Sequence, residues 1–246
     1  MGTSEAASGY GRAMTEIPYR NALIVGAGAG LSAALARAFA KAGIKVALAA
    51  RSIDDLAALA KETGAKAFAC DAVKRADVDA LFAAVTSAIG EPEVVVYNAS
   101  YRTRGPFVEL DPAEVEKTLQ VAAFGGFLVA QAAAKRMLAG GRGAILFTGA
   151  SASIKGYAQS APFAMGKFAL RGLAQSLARE LSPLGIHVAH FVIDGGIRSA
   201  RRPDPAERPD SMLDPDAIAA SYLHVLAQPR SAWSWELELR PWVEKF

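Results

Sequence analysis

Residues 21–43 read NALIVGAGAGLSAALARAFAKAG. Asn21–Val25 is a short apolar run of the length of a buried strand, and from Leu31 onward apolar residues recur three and four apart, as on one face of a helix. Between the two lies GAGAGLS, residues 26–32, where the chain must turn directly from strand into helix. Glycines in that context let backbone approach a pyrophosphate, and a helix amino terminus supplies unpaired N–H groups and a favourable dipole. Strand, glycine turn and helix in this order open an α/β fold.

The same alternation continues to both sides of the chain's middle. IKVALAA (44–50), AKAFACD (65–71), EVVVYNA (93–99), GAILFTGA (143–150), IHVAHFVI (186–193) and WELEL (235–239) read as further strands. Amphipathic segments between them read as crossover helices: 53–64, 78–90, two long ones from about Asp111 to Ala139 and Tyr157 to Leu181, and one from Pro215 to Ala227. Seven strands with helices between them predict a Rossmann-like doubly wound parallel sheet covered on both faces, as a single domain over 19–246. Residues 1–18, MGTSEAASGYGRAMTEIP, are expected to be a flexible tail without the apolar core of a signal peptide. Residues 199–215, crowded with proline and charge, leave the carboxyl end of a strand and are expected to form a mobile lid.

Bulk properties exclude several classes. Hydrophobic residues are 52% of the 246, charged residues 21%, and the net charge is +3. That basic excess is small and dispersed, with no stripe of interleaved aromatics, so nucleic acid is not an expected partner. Cys70 is the sole cysteine, and with His187, His190 and His224 it makes no cluster of metal-ligand spacing. No metal, a reducing cytoplasm and no membrane are expected, because no apolar run approaches the roughly 18 to 20 uncharged residues of a membrane-spanning helix.

A nucleotide is expected at the glycine turn, held by Gly26, Gly28, Gly30 and the start of the helix at Leu31. At the end of the second strand, where an acidic residue would hydrogen-bond ribose hydroxyls, the sequence reads Ala50, Arg51, Ser52. A guanidinium with a neighbouring hydroxyl suits a 2′-phosphate better than a free hydroxyl, so NADP(H) is expected over NAD(H).

These residues, in this order, resemble the short-chain dehydrogenase/reductase family from Asn21 to the last strand. The family's TGxxxGxG is matched by Val25, Gly26, Gly28 and Gly30, with Val25 for its threonine and Ser32 for its last glycine. The resemblance implies that Asp71 and Ala72 contact the adenine, and that Asn98 and Ala99 in YNAS match the family's NAG. It implies that Asp194 and Gly195 stand near its Pro-Gly pair, with Ile197 and Ser199 reaching the nicotinamide amide and phosphates. Lys167 is implied to hydrogen-bond the nicotinamide ribose. Pairing through the two long helices, as homodimer or homotetramer, is implied as well, and the alanine-rich faces of 121–134 and 157–178 would allow close helix approach.

The resemblance fails at the chemistry. The family moves hydride and proton with an Asn, a Ser, a Tyr and a Lys four residues after the Tyr, the nearby ammonium making the phenol more acidic. Here Lys167 is present, but Ala122, Ala150 and Phe163 occupy the other three positions. No lysine in the chain has a tyrosine four residues before it, and the wider spacing seen in some relatives falls on Ser160. Ser151 and Ser153 lie near the serine position, with strand alternation expected to turn Ser151 away.

Three readings stay open. The first is an NADP(H)-dependent oxidoreductase acting on a small molecule, with its proton from Tyr157, Tyr101 or an ordered water. The second is a silent nucleotide-binding homologue serving as partner subunit or cofactor sensor. The third is hydride addition to an activated double bond or iminium, with Phe163, Phe107, Phe124 and Phe127 forming an apolar pocket.

Overall fold

The computed structural model describes residues 16–199 and 201–245. The expected tail therefore lies outside the described residues up to position 15, and so does Ala200 within the expected lid.

Strands β1 (Asn21–Val25), β2 (Lys45–Ala50), β3 (Lys66–Ala69), β4 (Val94–Tyr97), β5 (Gly143–Thr148), β6 (Ile186–Ile193) and β7 (Glu236–Leu239) form one sheet. Its order is β3-β2-β1-β4-β5-β6-β7 and every pairing is parallel. β1 is central, pairing Val25 with Ala49 on one side and Tyr97 on the other, which is why NALIV is apolar on both faces. The chain reverses its winding between β1 and β4, so their carboxyl ends flank the crevice where such sheets hold ligands.

One face of the sheet carries α1 (Leu31–Lys41), α2 (Ala57–Thr63) and α7 (Pro215–Leu226). Leu31, Ala34, Leu35 and Phe39 form the buried stripe of α1, and the alanines beside them let it lie close to α7. The opposite face carries α3 (Arg75–Ile89), α4 (Pro112–Leu119), α5 (Gly125–Gly140) and α6 (Ala161–Leu181).

α4 and α5 are one helix over Pro112–Gly140, capped by Asp111, whose carboxylate accepts from the Ala113 N–H at 2.9 Å. A π turn, Gln120–Phe124, interrupts it. Tyr97 from β4 donates its hydroxyl to the Val121 carbonyl at 2.5 Å. Gly125 and Gly126 make room for that ring: a Cβ on Gly125 would come within 2.4 Å of the Tyr97 hydroxyl, and one on Gly126 within 3.3 Å of the ring. Tyr97 therefore joins the sheet to the widened turn, which places Val121 at the crevice and Ala122 in the helix contact behind it.

Two expectations are corrected. The second long helix begins at Ala161 rather than Tyr157, because Gln159 takes a left-handed φ of 58° and Pro162 suits only a first turn. Helix Pro112–Gly140 does contain an apolar window long enough to cross a membrane by length and composition, and half of that window is buried in the fold. The segment after β6 carries contacts of its own. Ile197 bridges Leu213, Ser199 bridges Arg202, and Arg198 ion-pairs with Asp204 and Asp214 at 3.2 and 2.6 Å.

Candidate functional site

Two adjoining cavities open at the carboxyl ends of the strands, about 640 and 480 Å³ in volume, and both touch Asn98 and Ser100. They form one cleft, with the glycine turn and adenosine side at one end and Lys167 at the other.

At the first end, Gly26 takes a φ of +87° and packs on β4 so closely that a Cβ would come within 2.3 Å of the Ala99 backbone nitrogen. Gly28 and Gly30 differ: a Cβ on either would meet no atom within 4 Å. The open space beside these two positions fits a group that the turn itself would cradle. Leu31 starts α1 with its side chain in the core, leaving only its backbone for a ligand. Asn98 braces the turn, donating from Nδ2 to Ser32 Oγ at 2.7 Å, and Ser32 donates to the Gly26 carbonyl at 3.0 Å.

Arg51 and Ser52 are exposed and line this cavity with Asp71, Ala72 and Ala99. The Asp71 carboxylate lies 3.6 Å from Lys74 Nζ. Tyr101 lines this cavity and not the one around Lys167. Its hydroxyl donates to Glu114, and Lys117 Nζ sits 4.1 Å from the ring centroid. An anchored phenol away from Lys167 does not suit the proton donor expected there.

At the second end, Lys167 is 3% exposed and donates from Nζ to the Thr148 carbonyl at 2.8 Å. Burial pushes its ammonium down to about 8, so it is charged at neutral pH. Behind it, burial pushes the His190 imidazole down to about 4 against the pull of Glu236, so His190 adds no second charge. Phe163 and Ala150 line the cavity, and Lys167 Nζ lies 5.8 Å from the centre of the Phe163 ring. Ala122 is fully buried, lies outside the lining of both cavities, and faces α6 at Gly166, where an added Cβ would come within 2.7 Å of its own.

Of the two nearby serines, Ser151 lines the second cavity and Ser153 does not. The Ser153 hydroxyl accepts from the Ala150 N–H at 3.1 Å. Ser151 lines the cavity, contrary to the alternation argument, because β5 stops at Thr148 and residues 151–153 form a 3₁₀ turn. Burial works against ionisation of Asp194, but the hydrogen bond from Lys155 and the charges of Lys155 and Arg240 hold its carboxyl below the usual range. Asp194 thus stands in a buried ion cluster beside Gly195, with Lys155 at 2.9 Å and Arg240 at 3.3 Å.

Gly195 and Ile197 line the second cavity; Ser199 lies outside both, with its backbone paired to Arg202. Tyr157 lines the second cavity and is 47% exposed. The expected phenylalanine pocket does not form. Phe124 and Phe127 stack on the outer face of their helix with centroids 6.2 Å apart, and Phe107, in a separate 3₁₀ turn over Phe107–Glu109, is 79% exposed.

Sequence reasoning missed Arg102, Arg104, Ser160, Arg202 and Glu244, all of which line the second cavity. The available signal was RTR one residue after YNAS: charges in a loop leaving the carboxyl end of a strand at the crevice.

Comparison with known proteins agrees with this architecture. The sequence pattern of the short chain dehydrogenase family matches residues 20–204. A D-threitol dehydrogenase of Mycolicibacterium smegmatis is 33% identical over 172 residues, covering 68% of this chain and 66% of that enzyme. A crystal structure of a short-chain dehydrogenase from Rhodopseudomonas palustris superimposes with a TM-score of 0.78 at 34% identity, covering 91% of this chain and 99% of that one. A metagenomic short-chain oxidoreductase in complex with NADP gives a TM-score of 0.78 at 28% identity, covering 90% and 97%. The parallel seven-stranded sheet, the glycine turn after β1 and the match over 20–204 together make this chain a member of the short-chain dehydrogenase family.

Proposed function

We propose that the chain is an NADP(H)-dependent oxidoreductase of a carbonyl, alcohol or activated double bond, with a proton source other than the family tyrosine. The observation that carries this is one cleft with Arg51 and Ser52 at one end and the buried ammonium of Lys167 at the other. The guanidinium suits a 2′-phosphate, Gly28 and Gly30 leave room for a pyrophosphate, and Lys167 suits ribose hydroxyls. The metagenomic relative in complex with NADP supports the same choice. The cofactor would supply or accept the hydride; Lys167 would orient its ribose, and Tyr157 or an ordered water would handle the proton.

Arg51→Ala is expected to weaken NADPH binding by about tenfold or more while changing NADH binding little, since a charged hydrogen bond to phosphate is lost. Fluorescence titration with the two cofactors reads this directly. Equal weak binding of both by the natural chain, or equal loss of both in the variant, would remove the NADP(H) assignment.

A silent nucleotide-binding role is the second reading, favoured by Ala122, Ala150 and Phe163 together. We further propose self-association through α4, α5 and α6. Phe124, Phe127, Met165 and Phe168 are each more than two-fifths exposed on these helices and form an apolar face suited to a second copy. Sedimentation as a monomer at micromolar concentration would count against it.

A further inference from the structure

The second cavity has an unbalanced charge. Its lining contains Arg102, Arg104, Lys167 and Arg202, against the single carboxylate of Glu244. Asp194, the nearest other acid, is committed to Lys155 and Arg240. Among the described residues none of the three guanidiniums forms an ion pair.

They converge from two loops that are distant in sequence. Arg102 and Arg104 follow β4, and Arg202 follows β6 on the segment bridged at Ser199. The Arg102 Cζ lies 4.9 Å from the centroid of Phe163, so the ring standing where a phenol is expected serves as the platform for a guanidinium. Arg202 Nη1 packs on Gly196, where a Cβ would come within 2.9 Å of it. Burial, and then the charges of Arg104 and Arg202, lower the Arg102 guanidinium's affinity for its proton. Ser160, in the same lining and 1% exposed, has a hydroxyl with no partner among the described residues.

Arg102, Arg104 and Arg202 are exposed to the cavity, and like charges gathered on a concave site draw in and concentrate small ligands of opposite sign. We infer that the second cavity selects a small substrate carrying a carboxylate or phosphate close to its reacting carbon, held by Arg102, Arg104 and Arg202 above Phe163. This rests on the oxidoreductase reading for the word substrate, while the anion site rests on the arginines alone. Guanidiniums bind both anions through paired N–H groups, so the two share one recognition chemistry.

Calorimetric titration of malonate, inorganic phosphate and neutral malonamide tests this, on the chain alone and with NADPH present, for the natural sequence, Arg102→Ala and Arg202→Ala. Malonate or phosphate is expected to bind at least about tenfold tighter than malonamide, and each variant to weaken it about tenfold. NADPH affinity should move less than about threefold. Either anion being the tighter one upholds the site and identifies its chemistry. Anions binding no better than malonamide would overturn it, as would variants that lose NADPH in place of malonate, which would assign the arginines to the cofactor. A chain that binds malonate but not NADPH keeps the anion site and removes the oxidoreductase reading; the reverse removes the anion site alone.

Discussion

Phe163→Tyr combined with Ala150→Ser is expected to raise NADPH-dependent carbonyl reduction by about 10²-fold or more, the range a positioned general acid contributes. Both positions line the cavity, and Lys167 is already buried one helical turn from 163 with its Nζ 5.8 Å from the ring centre. A phenol there would gain a proton to give and a nearby ammonium to make it more acidic. Tyrosine also keeps the aromatic face on which Arg102 rests at 4.9 Å, so the cavity should survive the change. The sign of the pH dependence follows from Lys167. Its ammonium is charged below about 8 and loses its proton above, so the gained rate should fall as pH rises past that value. Steady-state kinetics from pH 6 to 10 would show it. An unchanged rate with NADPH affinity retained would mean that proton supply is not what limits turnover. The companion measurement is Tyr157→Phe in the natural chain, which should lower any turnover by about 10²-fold if that half-exposed phenol is the substitute donor.

Gly26→Ala is expected to cost about 4 kcal/mol or more. An alanine forced to a φ of +87° is strained by about 1–3 kcal/mol, and crowding a packed interior adds a similar amount. The crowded atoms are backbone, Ala99 N at 2.3 Å, Ala99 Cα at 2.4 Å and the Asn98 carbonyl carbon at 2.7 Å, so no side chain can swing aside. For a domain of this size the loss corresponds to a fall in Tm of roughly 8–16 °C. Gly28→Ala is the control. Its Cβ would enter open space, so stability should change by about 1 kcal/mol or less while NADPH binding falls. A thermal melt in which both variants behave alike would refute this division of labour within one glycine turn.

The sheet and its glycine turn were legible because buried parallel strands, amphipathic helices and a strand-to-helix glycine turn each leave a local periodic signal. NALIVGAGAGLSAALARAF contains all three. Helix boundaries were less so: nothing in YAQSAPF announces that Gln159 is left-handed, which moves the start of α6 to Ala161. The π turn at 120–124 was invisible, since its cause is Tyr97, some two dozen residues away, pressing between two glycines. The arginine cavity was hidden for the same kind of reason. Arg102 and Arg202 are a hundred positions apart and meet only because β4 and β6 end on the same edge of the sheet. Phe124 and Phe127 were misplaced because composition does not say which side of a helix a ring takes.

The widened turn between α4 and α5 has a bearing on how such a site can change over generations. It is maintained by Tyr97, Gly125 and Gly126, and Ala122, where the family asparagine would stand, contributes nothing to it. Erasing the side chains of a reactive centre takes one codon each and leaves the backbone scaffold intact. Changing the scaffold meets steric resistance, since a Cβ on Gly125 would come within 2.4 Å of the Tyr97 hydroxyl. The side chains of the site are therefore the quickly rewritten part of the molecule, and the helix that carries them is the slow record.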